Sequence, residues 1–249
     1  MKIIEYIKNE HSKIKARPKE ERWAYFWEYY KFHLIIFVLV VALLVQGIIS
    51  VTNKKEIVFS GFWLNSKINI DDDSFVQGFY DYAGIDAEKE EAAFYIDVIL
   101  TDQNTKNDLT AMQRIMAGIA VKDTDFIAAP QDSFRVCAYS SSRIYMDLRE
   151  FLDADTLETY AGRLYYIDGA ILQKLSAPVG ELVDTSSIVY PDPTKPETMQ
   201  DPIPVGIDVS SNKDLMSAYY LTDTTVYLAV ISNTVRPELT RQFLEYLEA

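Results

Sequence analysis

The chain of 249 residues has a single cysteine, Cys137. One thiol closes no intrachain disulfide and builds no cysteine-based metal cluster. Its setting in SFRVCAYSS predicts a small buried hydrophobe rather than a reactive thiol. Histidine is nearly as scarce. His11 and His33 are the only two, and residues 56–249 contain none. That region therefore holds neither a Ser–His–Asp constellation nor a histidine-ligated metal. Glycine-rich phosphate loops are missing, and so is a twelve-residue calcium loop. The acidic run Asp71-Asp72-Asp73 offers oxygen ligands, but Asp72 or Asp73 is better placed to cap a helix that starts near Ser74. No cofactor is expected.

Basic charge is also short, and it is unevenly spread. Residues 1–33 hold eight Lys and Arg against five Glu, a net +3, which leaves −16 for residues 34–249 of a chain at −13. So acidic a body argues against nucleic acid and, by long-range steering, against anionic ligands.

One long stretch lacks charge altogether. Residues 32–52, FHLIIFVLVVALLVQGIISVT, carry no formal charge with His33 neutral, and Leu34 to Val45 are all apolar. Twenty-one helical residues reach about 31 Å, a hydrocarbon core's thickness. A buried core helix rarely runs so far. A cleaved signal peptide starts nearer residue 1, and no cysteine follows for lipid attachment. The reading is a transmembrane helix at 32–52. Ahead of it lies a basic and aromatic cytoplasmic segment, 1–31, and beyond it an extracytoplasmic domain, 56–249. The charge bias puts the N-terminus in the cytoplasm of a single-pass cell-membrane protein. Trp23, Phe26, Trp27 and Tyr30 are expected at the membrane interface, with the lipid bilayer as partner. A docking face for a cytoplasmic partner is the other reading of these aromatics, and a membrane-protein partner is a further expectation.

Beyond residue 55 the pattern alternates. Glu56–Leu64 reads as a buried strand. Phe75, Phe79 and Tyr82 recur at helical spacing before Gly84. Ala92–Leu100 reads as a strand and Lys106–Val121 as a helix, with Leu109, Met112, Ile115, Met116 and Ile119 as its apolar stripe. Asp125–Pro130 is a short strand and Gln131–Ser140 a helix. A helix from about Ala154 follows. RLYYID and Ala170–Leu175 read as paired strands joined through Asp168-Gly169. Five prolines between 176 and 202 mark an exposed excursion. IPVGIDVS and Thr224–Ser232 read as strands, and a last helix opens at Pro237. Strand and helix in turn predict an α/β sheet with covered faces.

The stretch FIAAPQDSFRVCAYSSSRIYMDLREFLDADTLETYAGRLYYID, with IPVGIDVS and YLAVISNTVRPELTRQFLEYL after it, resembles bacterial extracellular solute-binding proteins of the periplasmic type II class. WEYYKFH ahead of an apolar run resembles a group of membrane-anchored Gram-positive (Firmicutes) proteins. The resemblance implies a reduced two-lobed domain of that class, non-catalytic, that closes on a small solute such as a sugar or peptide. The alternative is an accessory subunit of a cell-envelope complex that has lost its ligand. A hydrolase built on converging carboxylates is the third reading. On the expected fold, the cleft candidates are Phe62 and Trp63, then Gln131, Asp132 and Ser133, then Asp208 and Asp223. Trp63 is either an aromatic platform or a plug, and Gln131-Asp132 either touch ligand or cap the following helix.

Overall fold

The computed structural model describes residues 5, 12, 15–16, 18–52, 55–67, 74–103, 105–176, 187–220 and 224–249. The chain forms two units, Met1–Lys54 and Lys55–Ala249.

The first unit contains helix α1, Lys19–Thr52. Its side chains at 19, 22, 25–26, 29–30 and 48–52 lie outside the described residues. Phe26 and Tyr30 are among them, while Trp23 and Trp27 are exposed. Among the described residues, no helix is long and apolar enough to cross a membrane. The expected span at 32–52 is corrected on this ground. With it go the single-pass topology, the cytoplasmic N-terminus with an extracellular domain, the aromatic interface belt and the bilayer as partner.

Among the described residues, the second unit holds one six-stranded sheet, ordered β2-β1-β3-β6-β5-β4. The strands are β1 (Glu56–Trp63), β2 (Glu90–Tyr95), β3 (Phe126–Pro130), β4 (Leu164–Asp168), β5 (Pro202–Asp208) and β6 (Val226–Val230). β1 runs parallel to β2 and β3, while β6 is antiparallel to β3 and to β5, and β4 is antiparallel to β5. The helices are α2 (Ser74–Ala83), α3 (Lys106–Ala120), α4 (Gln131–Ala138), α5 (Leu148–Phe151), α6 (Ala154–Thr159), α7 (Gly169–Leu175), α8 (Lys213–Tyr219) and α9 (Pro237–Glu248).

Strand alternation sends side chains to two cores. Phe59, Trp63, Phe126, Leu228 and Val230 face one side, where α2, α5, α8 and α9 cover them. Phe62, Ile127, Val205, Tyr227 and Ala229 face the other, under α3, α4 and α7. Every residue of β6 is buried, as a central strand covered on both faces requires. Gly61 lies between Phe59 and Trp63 on β1, and a Cβ there would collide with the Phe126 ring.

This single continuous sheet corrects the expected two-lobed periplasmic type II domain. Two lobes with a cleft between them need two sheets, and here β4 and β5 extend the same sheet. The second correction is local. Ala170–Leu175 is part of α7, not a strand. Asp168 accepts from the Ala170 amide (3.0 Å) and so caps a helix, and β4 pairs with β5 instead. Residues 96–100 of the expected second strand join no ladder.

A polar clamp holds the middle of the sheet. Asp125 is fully buried. Its Oδ2 accepts from the Ser60 amide (2.8 Å) and from Arg236 Nη1 (2.7 Å), and its Oδ1 accepts from Thr234 Oγ1 (2.6 Å). Arg236 Nη2 also reaches Asp123 at 3.1 Å. One carboxylate thereby ties β1, the start of β3 and the connection from β6 into α9.

This packing sets the cost of two substitutions. Asp125→Ala leaves the largely covered Arg236 guanidinium with Asp123 alone and the Ser60 amide without its acceptor, and should cost about 3–5 kcal/mol in chemical denaturation. Gly61→Ala overpacks the Phe126 contact and should cost about 1–3 kcal/mol, with no change in surface ion pairs.

Candidate functional site

The parallel strands β1 and β3 end side by side, and the segments beyond them are stitched together. Asn65 lies just past β1 in the left-handed region (φ 57°), which asparagine tolerates. Its Oδ1 accepts from the Leu100 amide (2.7 Å), and its Nδ2 donates to the Leu100 carbonyl (2.8 Å) and to Ser133 Oγ (2.7 Å). Ser133 Oγ donates in turn to the Leu100 carbonyl (2.8 Å). The loop into α3 is fixed by Asp108. Its carboxylate accepts from the Thr101 amide (2.6 Å) and the Thr105 amide (2.8 Å) and from both hydroxyls. Thr105 Oγ1 accepts in return from the Asp108 amide (3.2 Å), completing a capping box. The Thr105 hydroxyl and the Thr101 amide hold the Asp108 carboxyl at about 2, below its ordinary 3.8.

Over this base lies a groove of about 700 Å³. Leu109 and Met112 of α3, Val136 of α4 and Leu175 of α7 supply its apolar lining, and Asp102, Arg135, Tyr139 and Tyr190 its polar and aromatic lining. A second hollow of about 400 Å³ shares Arg135 and Tyr190 and adds Gln131, Tyr165 and Asp192. The shared residues make the two hollows neighbours. Tyr139 and Tyr190 sit with ring centroids 4.5 Å apart. Burial raises the Tyr139 phenol above its ordinary value, and its oxygen accepts from the Asp168 amide (3.1 Å). Arg135 bridges Asp102 (3.2 Å) and Asp132 (3.3 Å). A further hollow of about 510 Å³, which shares Thr101 and Asp108 with the groove, has its cation, Arg114, paired with Asp97 at 2.8 Å.

The expected cleft residues scatter. Phe62 is buried against Tyr95, at 5.0 Å, in the core under α3 and α4. Trp63 is buried in the opposite core, 4.0 Å from Tyr219 and 5.6 Å from Phe75, and its Nε1 has no hydrogen-bond partner. It is a plug, not a platform. Ser133 is a buried stitch. Gln131 lines the second hollow, and Asp132 pairs with Arg135. Neither caps α4, whose N-cap is Pro130 with no side-chain bond. Asp208 lies at the same end of the sheet but accepts from the Ser210 amide (2.9 Å) to close a turn. Asp223, like Asp71, Asp72 and Asp73, lies outside the described residues.

Arg135, Tyr139 and Tyr190 were not among the expected residues. Arg135 on α4 and Tyr139 at its C-cap stand four apart, a spacing that puts them on one face, and Arg135 is the lone cation of that helix. Tyr190 opens the Tyr-Pro-Asp-Pro run, where five prolines mark the loop but not what it packs on.

No known protein family, curated protein or solved structure matches the chain. With the single sheet, this corrects the solute-binding-protein resemblance. The small-solute, envelope-subunit and membrane-protein-partner readings that rested on it are withdrawn.

Asp108 titrates far below an unfolded aspartate, so its contribution to stability is complete above pH 3.8 and is lost as pH falls towards about 2. Asp108→Asn should lower the urea midpoint at neutral pH. The gap from wild type should narrow only below pH 3.8 and close below about pH 2.

Proposed function

We propose that the Lys55–Ala249 unit is a non-catalytic protein-recognition domain whose groove receives a segment of a partner protein. The observation that carries this is the pairing of an apolar lining, formed by Leu109, Met112, Val136 and Leu175, with an exposed aromatic edge at Tyr190. Interface cores combine apolar anchors with aromatic side chains in this way.

The groups that would do chemistry are already committed to structure. Asp102 and Asp132 hold Arg135, Asp108 holds the Thr101 and Thr105 loop, and Asp192 pairs with Lys195 at 2.9 Å. Cys137 is fully buried, and burial pushes its thiol up to about 12, so it supplies no thiolate at neutral pH. A groove whose polar groups already face one another gains affinity from the apolar and ring surface that remains.

Panning a random-peptide display library on the full chain tests the reading. Recovered sequences should share spaced aliphatic anchors. Leu109→Asp, at an exposed position, should leave the melting temperature unchanged, and Tyr190→Ala, which loses the ring contact with Tyr139, should lower it only slightly. Each should weaken the recovered binders by about 2 kcal/mol, roughly thirtyfold in Kd. Binders without a shared pattern, or binders indifferent to both variants, would overturn it.

A further inference from the structure

We infer that the segment taken by this groove is basic as well as aliphatic, an inference that rests on the protein-recognition reading. The charged groups lining the two hollows are Asp102, Asp108 and Asp192 against Arg135 alone. The salt-bridge partners Asp132 of Arg135 and Lys195 of Asp192 cancel each other. Arg135 is thus outnumbered, and its ion pairs with Asp102 and Asp132 already engage its guanidinium. An acidic segment would have to displace one of them.

A cationic side chain displaces neither pair. Asp102, about half exposed at one wall, is held by Arg135 at 3.2 Å, and a carboxylate has lone pairs for a second donor. The face of Tyr190, held against Tyr139 at 4.5 Å, offers a ring pair for cation–π contact. The −16 carried by residues 34–249 adds long-range attraction for the same partner. Aliphatic neighbours of that cation would rest on Met112, Val136 and Leu175.

Three short synthetic peptides with the same leucine spacing test this, with the alternate positions filled by lysine, glutamate or serine. Binding to the full chain is read by fluorescence anisotropy at low and high salt. The lysine peptide should bind about tenfold or more tighter than the glutamate peptide, and added salt should shrink that margin. Asp102→Asn should reduce the lysine preference severalfold while sparing the serine peptide, and Tyr190→Ala should weaken the lysine peptide most. Equal binding of all three peptides would overturn the charge inference and leave the groove reading standing. Binding of none would overturn the groove reading itself. Lysine-peptide binding untouched by Asp102→Asn and Tyr190→Ala would assign the attraction to the acidic surface at large and overturn the inference.

Discussion

The sheet depends on one buried carboxylate. Asp125 stands where β1, β3 and the β6–α9 connection converge, and it accepts from β1 and from that connection. An ionised group with no exposed surface is costly unless its lone pairs are met and its charge is balanced. Here the Ser60 amide, the Thr234 hydroxyl and the Arg236 guanidinium meet both conditions. The backbone repeats the tie, since Asp125 donates to the Ser60 carbonyl (2.8 Å) and accepts from the Ile231 amide (2.9 Å). This fixes the register between the parallel half of the sheet and its antiparallel half. Every helix packed on those strands inherits that register.

The opposite end of the sheet explains where the groove lies. The chain leaves β1 for β2 on one side and then crosses to β3 on the other, so β1 and β3 flank a topological switch point. Open α/β sheets place ligands in the crevice beyond the carboxyl ends of such strands. Here side chains occupy that crevice. Trp63 fills one face, and Asn65, Leu100 and Ser133 bond across the other. The recess is displaced outward, onto α4 and the loop that carries Tyr190. The same stitching makes it a supported surface, because Ser133 in the first turn of α4 is locked to both neighbouring segments.

Strands with continuous apolar character were readable because burial on both faces leaves no other pattern. Glu56–Trp63, Phe126–Pro130 and Val226–Val230 fall where hydrophobic runs meet turn residues, and Pro237 opens α9 as its missing amide allows. Gly84 ends α2 with φ 69°. Ala170–Leu175 misled because six residues of mixed character suit either period, and only the bond from Asp168 decides between them. The site was less legible still. Its location after β3 comes from chain order, which is how Gln131 and Asp132 came into view. Its working surface needs Tyr190 brought onto Tyr139 from fifty-one residues away, a contact no local pattern encodes.

The stripe of α3 shows most directly how folding leaves a surface behind. Spacing alone assigns Leu109 to the core with Ile115 and Ile119. The helix instead turns Asp108 and Ala111 inward with those isoleucines. Asp108 must point in because its carboxylate satisfies the loop amides that would otherwise lie unpaired beneath the groove. Leu109, its chain neighbour, is thereby rotated outward to 58 % exposure. An exposed leucine on its own is ordinary. This one lies in the same recess as Met112, Val136 and Leu175, with a tyrosine pair at its edge. The apolar surface that the Asp108 cap displaces from the core is the surface offered to a partner.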